Sequence, residues 1–394
     1  MPGPTVPSKI RVAHVITRLV LGGAQENTLL TAARLDRSKY EVTLISGPTA
    51  GPEGSLEDRL PPGVAFERIP ELVRHPHPAK DLAAAGRLYA LTRRDRYHIV
   101  HTHTTKAGIL GRLTARLAHV PIVIHTPHGH AFHGYINRSG SEALRHVERW
   151  LARWTDQIVC LTEAERQDHL RFGVGPNELF TVIHSGVDVD RFQNAQVDLG
   201  AKRRELGLRP GAPLVGCVAR LVPVKGVDCL LEAVPMIRSS VPAATVVFVG
   251  DGPMRPRLEE RARLLGLNGA VAFLGLRRDV PELMPLFDVV VLPSLNEGMG
   301  RAAVEALAAG RPVVGSRVSG IQDIVTDEET GFLVPPADPS ALARAIVRCL
   351  TDPAGASAMG RKGQTAAQAY SVDRMIDKIE RLYAHWLEIK KPKH

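Results

Sequence analysis

Short β-branched runs alternate with amphipathic segments along the whole chain, and this pattern constrains the fold more than any other feature. KIRVAHVI, YEVTLIS, HIVHTH, VPIVIHT, QIVCLT and FTVIHSG read as strands of a first half; PLVGCVARL, TVVFVGDG, VAFLG, DVVVLPS, PVVGS and GFLVPP read as strands of a second. These runs are apolar throughout, so both faces need cover, which points to parallel sheets flanked by helices. At 394 residues the chain exceeds one ordinary core. The expected architecture is α/β: two doubly wound parallel-sheet (Rossmann-like) domains, with a cleft between them if the carboxyl ends of their strands, where ligands bind, face each other.

The polar stretch from Asp190 to Pro213, with Gly207, Pro210 and Gly211, suits a hinge. We therefore expect one domain over 1–190, rejoined by a C-terminal helix at 371–394, and another over 191–370. That last segment has helical periodicity, with Met375, Ile379, Leu382 and Trp386 on one stripe.

Charged residues make up 23% of the chain and apolar residues 44%, as in soluble globular proteins. No apolar run reaches the ~18 residues of a membrane span. MPGPTVPSKI lacks a signal core, so a cytoplasmic location is expected. Cys160, Cys217, Cys229 and Cys349 are too widely spaced for a metal site and read as reduced residues. The net charge of +9 admits nucleic acid, anionic lipid or a phosphorylated substrate. Without an aromatic RNA-binding motif, a zinc finger or a Lys/Arg block, nucleic acid is not expected.

The segment EGMGRAAVEALAAG carries the chemistry. DVVVLPS supplies a buried strand, LNEGMG a loop, and a helix opens near Arg301. Gly298 and Gly300 allow close backbone approach to a ligand. The free N–H groups of the helix start favour oxygens and anions. Glu297 on the loop and Glu305 in the helix are two acceptors spread over ~10 Å, suited to two polyol parts of one ligand. In ARLVPVKG, Arg220 and Lys225 follow another strand of the same domain and could neutralise a diphosphate without a metal. Taken singly, these residues are equally compatible with solvated surface charges.

As a set they resemble the family 4 retaining glycosyltransferases of GT-B fold, over nearly the whole chain. Glu297 to Glu305 matches the family's E-x7-E motif, and Arg220 with Lys225 its R-x4-K pair. LGGAQE matches its glycine loop, HTPHGH its histidine segment, and VIHSGVDVDRF the end of its first domain. The resemblance implies a hexosyl transfer from a nucleotide sugar, UDP-sugar foremost, to a saccharide or lipid-linked acceptor in polysaccharide or glycolipid synthesis. It implies that Glu297 binds donor-sugar hydroxyls with the N–H groups of Met299 and Gly300, and that Glu305 binds the ribose. Arg220 and Lys225 would stabilise the departing diphosphate, Gly22 and Gly23 approach the phosphate, His128 position the sugar, and Arg278 lie along the base. Neither a cofactor nor a metal is expected. Met299 stands where the family often has an aromatic residue.

Three weaker signals remain. Asp188 to Asp190 spells DVD, a metal-like motif at the domain boundary. His101, His103, His125, His128, His130 and His133 invite a zinc reading, although strand-end histidines lining a polar cleft explain them more simply, with His130 and His133 facing the acceptor. SEALRHVERWLARWTDQ, helical over 141–157 with Arg145, Arg149, Arg153, Trp150 and Trp154, together with Lys106, Arg112 and Arg116, admits peripheral contact with an anionic membrane. Two alternatives use the same fold: a UDP-sugar 2-epimerase, or a non-catalytic nucleotide-sugar sensor.

Overall fold

Parallel strands need long crossovers, and the chain supplies a helix for nearly every one. The computed structural model describes residues 9–49, 54–129 and 138–391, which divide into two compact units. One comprises Met1–Gly186 with Asp373–His394, the other Val187–Val372. In the first, β1 (Ile10–Ile16), β2 (Tyr40–Ser46), β3 (Ala65–Arg68), β4 (Ile99–His103), β5 (Ile122–Thr126), β6 (Gln157–Cys160) and β7 (Phe180–Val182) form a sheet in the order β3-β2-β1-β4-β5-β6-β7. In the second, β8 (Leu214–Val218), β9 (Thr245–Val249), β10 (Val271–Phe273), β11 (Val289–Leu292), β12 (Val313–Ser316) and β13 (Gly331–Val334) run in the order β10-β9-β8-β11-β12-β13. Every ladder within these sheets is parallel.

The central strands are buried along their whole length, for example Ile99–His103 and Val289–Leu292, as two-sided cover requires. Each large aliphatic side chain buried there contributes roughly 1.5–3 kcal/mol. Strand β3 is absent from the sequence-based expectation. Its residues, AFER, are half-buried or exposed at the sheet edge and carry no apolar run.

The order of each sheet reverses once. In the first unit the chain moves outward from β1 to β2 and β3, then returns to β4 on the other side of β1. The second unit repeats this with β8 and β11. Such reversals open a crevice at the carboxyl ends of the two central strands, because the loops there depart in opposite directions.

The C-terminal helix Val372–Lys390 packs on the first unit. Met375, Ile376, Ile379 and Tyr383 are its buried stripe, whereas Leu382 and Trp386 are half-buried. Tyr383 is the deepest of these because its hydroxyl finds the ring of His101 at 2.7 Å.

Candidate functional site

The second unit concentrates its chemistry where β8 and β11 end side by side. After β8 the backbone of Arg220 is held by its neighbours: Ala219 N–H donates to Val249 O and Leu221 N–H to Asp251 O, both at 3.0 Å. A short turn, Pro223–Lys225, then carries Lys225 toward the loop after β11, where Leu295 N–H donates to Val224 O at 2.9 Å. Gly226 closes this turn at φ 59°, and a Cβ there would lie 2.0 Å from Pro293 O, so only glycine fits.

Lys225 and Glu297 meet. Lys225 Nζ lies 2.5 Å from Glu297 Oε2, with the two side chains 21% and 13% exposed. Ser294 Oγ donates to the same carboxylate oxygen at 3.0 Å. The Glu297 carbonyl accepts from Gly320 N–H at 3.2 Å and Ser319 Oγ at 3.3 Å, which fixes the loop against the turn following β12. Gly300, in the left-handed region at φ 76°, opens the helix Arg301–Ala308 without a side-chain cap. Ala303, Val304, Ala306, Leu307 and Ala308 bury one side of that helix; Glu305 stays 14% exposed, with Arg301 Nη2 at 4.0 Å. Met299 is buried, while Arg220 and Arg278 are exposed. Beside Arg278, Arg277 is held by Asp279 at 2.5 Å and Glu205 at 3.1 Å.

In the first unit, β1 and β4 end beside the helix Gly23–Arg34, which Gly22 opens without a side-chain cap. Adjacent strands bring their histidines together, because register pairs His14 with His101 and Ile16 with His103. His14 Nδ1 lies 2.9 Å from His103 Nε2, and His103 Nδ1 lies 3.0 Å from His128 Nε2. His101 bonds Tyr383 Oη and, at 2.8 Å, Thr126 Oγ1; His125 bonds Thr102 Oγ1 at 2.9 Å. Burial drives the pKa of His14 down to about 3 and those of His101, His103 and His125 well below the ordinary imidazole value. His14, His101 and His103 stand close enough to share a metal ion. Yet His101 and His103 already use both ring nitrogens in hydrogen bonds, and His14 its Nδ1, so a metal would have to displace bonds of His101 and His103.

His128 itself has φ 61°, an uncommon conformation for a residue with a Cβ. The next residue is anchored: Gly129 N–H donates to Glu165 Oε1 at 2.8 Å, and Leu161 N–H to Glu165 Oε2 at 2.6 Å. Burial outweighs these two bonds and, with Asp168 nearby, raises the Glu165 pKa to about 7.

Sequence reasoning overlooked Ser294, His14 and Glu165. Thr162 and Glu165 form a Thr-x-x-Glu helix start, in which Thr162 Oγ1 accepts from Glu165 N–H at 3.1 Å, and that spacing was readable. Several expectations need correction. Arg112 is fully buried and paired with Glu148 through two bonds at 2.7 and 2.8 Å. Arg116 pairs with Asp156 at 2.6 Å, and Lys106 with Asp81 at 2.6 Å. These three cations are therefore engaged inside the fold rather than offered to a membrane. The helix expected over 141–157 spans Arg138–Ala152 instead, since Gln157 begins β6. It exposes Arg149 and Trp150, with the Trp154 ring tilted against that of Trp150, centroids 4.4 Å apart. Asp188 caps the helix Val189–Gln193, accepting from Arg191 N–H at 3.3 Å, which accounts for the DVD motif. His130 and His133 lie outside the described residues.

Two doubly wound sheets, each with its polar groups at the strand-order reversal, define the GT-B fold class. The structure of Anabaena HepE in complex with UDP shares it, with a TM-score of 0.78 at 25% identity, over 96% of this chain and 100% of that one. Residues 21–191 match the model described as Glycosyltransferase Family 4, and residues 212–352 that of Glycosyl transferases group 1. A UDP-Gal:alpha-D-GlcNAc-diphosphoundecaprenol alpha-1,3-galactosyltransferase of Escherichia coli is 33% identical over 381 residues, 95% of this chain and 97% of that protein. A D-inositol 3-phosphate glycosyltransferase of Salinispora tropica is 32% identical over 391 residues, covering 92% of this chain and 80% of the relative. The chain belongs to glycosyltransferase family 4 and is a glycosyltransferase; these relatives do not favour an epimerase. Among the described residues no helix is long and apolar enough to cross a membrane.

Proposed function

We propose that the enzyme transfers a hexosyl unit from a UDP-sugar to a saccharide or lipid-linked acceptor, with retention and without a metal. The observation that carries this reading is the 2.5 Å contact between Lys225 and Glu297, which unites the cationic and acidic motifs at one sheet reversal. The Escherichia coli relative, named for UDP-Gal and a diphosphoundecaprenol acceptor, supports the donor and acceptor classes. UDP in the HepE structure agrees with the donor.

Rupture of the glycosyl–phosphate bond builds charge on the departing diphosphate. Arg220 and Lys225 stabilise that charge as preorganised cations. In the resting enzyme Glu297 neutralises Lys225; donor binding shares the lysine between carboxylate and phosphate. Glu297, with the N–H groups of Met299 and Gly300, holds sugar hydroxyls. Glu305 holds the ribose, Arg278 borders the base, Gly22 and Gly23 admit phosphate oxygens, and His128 orients the sugar. No side chain is assigned as general base: a phosphate oxygen of the leaving group accepts the acceptor's proton.

The exposed face carrying Arg149, Arg153 and Trp150 suits contact with an anionic membrane surface, which would bring a lipid-linked acceptor within reach. Binding to anionic vesicles at low salt tests this, and its absence refutes it. For the reaction itself, thermal shift against UDP-, GDP- and ADP-sugars identifies the donor, since a ligand of the native state raises the melting temperature. Turnover with that donor and an undecaprenyl-diphosphate-sugar acceptor, followed by NMR of the product anomer, tests the chemistry. An inverted product, or activity abolished by chelator, contradicts the proposal.

A further inference from the structure

We infer that Glu165 is a positioning residue for the transfer reaction: in its ionised form it clamps the loop that carries His128, and turnover follows that ionisation. The inference rests on the role given to His128 above, while the clamp itself rests on geometry.

β5 and β6 are parallel neighbours, so the loops that follow them leave the same edge of the sheet. Glu165 joins those two loops. Its Oε1 accepts from Gly129 N–H at 2.8 Å and its Oε2 from Leu161 N–H at 2.6 Å. The Leu161 bond alone is ordinary, since a glutamate in the first turn of a helix reaches back to N–H groups at the helix start. The Gly129 bond lies outside that pattern, because 36 positions separate the two residues. It acts on a turn that needs restraint. His128 and Gly129 stand at φ 61° and 91°, and a residue with a side chain persists at such a φ only where its surroundings hold it.

Both carboxylate oxygens accept, which only the ionised form provides in full. A proton on either oxygen turns it into a donor facing an N–H group, and one of the two bonds is lost. Glu165 is 3% exposed, so water does not replace that bond. Leu161 keeps other ties: it directly follows β6, and its carbonyl accepts from His184 Nδ1 at 2.7 Å. The loop at Gly129 is therefore the side that loosens.

The titratable groups around Glu165 are Asp168 and His169 on its own helix, Cys160 from β6, and His128 and His184 from the loops after β5 and β7; β7 itself brings none. His169 donates to the backbone carbonyl of Glu165 at 2.8 Å, and burial keeps the Cys160 thiol neutral. The neighbouring Arg166 is engaged by Glu163, at 2.5 Å. Burial, opposed by the two N–H groups and reinforced by Asp168, places the ionisation of Glu165 at about 7.

The pH dependence of kcat/KM reports ionisations of the free enzyme. The wild-type value should rise through about pH 7 and be about tenfold lower at pH 6 than on its plateau, following the ionised fraction of one such group. Glu165→Gln keeps one acceptor and does not titrate. Its kcat/KM should be nearly independent of pH and about 10²-fold below the wild-type plateau, the scale of a misplaced functional loop. Its affinity for UDP alone, held by the second unit, should be unchanged. A fold that is merely weakened would lose rate without losing the pH limb. In the wild-type enzyme alone, hydrogen exchange of residues 126–129, corrected for its intrinsic pH dependence, should be slower at pH 8 than at pH 6. A limb that persists in Glu165→Gln overturns the inference, as does equal corrected exchange at the two pH values. A limb that disappears in Glu165→Gln while His128→Gln keeps full turnover upholds the clamp and instead refutes the role given to His128 in the reaction.

Discussion

Glu165 titrates near neutrality, and its effect on stability has a definite sign. Burial raises its pKa from 4.5 to about 7 despite two N–H donors. The folded state therefore binds this proton more tightly than the unfolded chain does. The resulting stabilisation is fully present below pH 4.5 and is lost as pH rises through about 7. At roughly 1.4 kcal/mol per tenfold change in proton affinity, the window between the two values is worth about 3 kcal/mol. Glu165→Gln abolishes the titration at nearly constant volume. Its amide NH2 must face one of the two N–H donors, so the variant also loses about 1–3 kcal/mol independent of pH. The three tryptophans, Trp150, Trp154 and Trp386, all lie in the unit that holds Glu165, so their fluorescence follows that unit alone during urea unfolding. Measured between pH 4.5 and 8, wild-type stability relative to the variant should fall by about 3 kcal/mol. Parallel curves for the two proteins would refute the raised proton affinity, and a wild-type curve rising relative to the variant would reverse the argument.

Lys225→Ala should lower kcat about 10²–10³-fold, the scale of losing one preorganised charge; full activity in initial-rate assays would remove it from the diphosphate site. Glu148→Gln leaves the fully buried Arg112 half-paired and should destabilise the first unit by about 3–5 kcal/mol, whereas Arg112→Met combined with Glu148→Leu should recover most of that in urea unfolding. Gly226→Ala places a Cβ against Pro293 O in a left-handed turn, which should cost about 1–3 kcal/mol and displace Lys225; an unchanged melting temperature and donor affinity would contradict the geometry.

Parallel, two-sided sheets left their mark as continuous apolar runs, so every strand except the edge strand β3 was legible. AFER has no such run because the edge of a sheet needs little cover. The E-x7-E and R-x4-K spacings were legible as well, since each lies within one loop and the element that follows it. The partnership of Lys225 with Glu297 was not: 72 positions separate them, and only the adjacency of β8 and β11 brings them together. The basic residues of the first unit misled for a related reason. Arg112 looks like surface charge until Glu148, 36 positions on, is seen to take both carboxylate bonds inside the core.

The amino-acid pattern alone determined the secondary elements, the parallel class and the chemical kinds of residue at the strand ends, because hydrophobic period and loop composition are local quantities. Which charges neutralise each other, and which histidines share a proton, was decided only when the strand order reversed and set distant segments side by side. Hydrogen bonds and ion pairs depend on distances of a few ångströms, and the tertiary structure alone sets those distances.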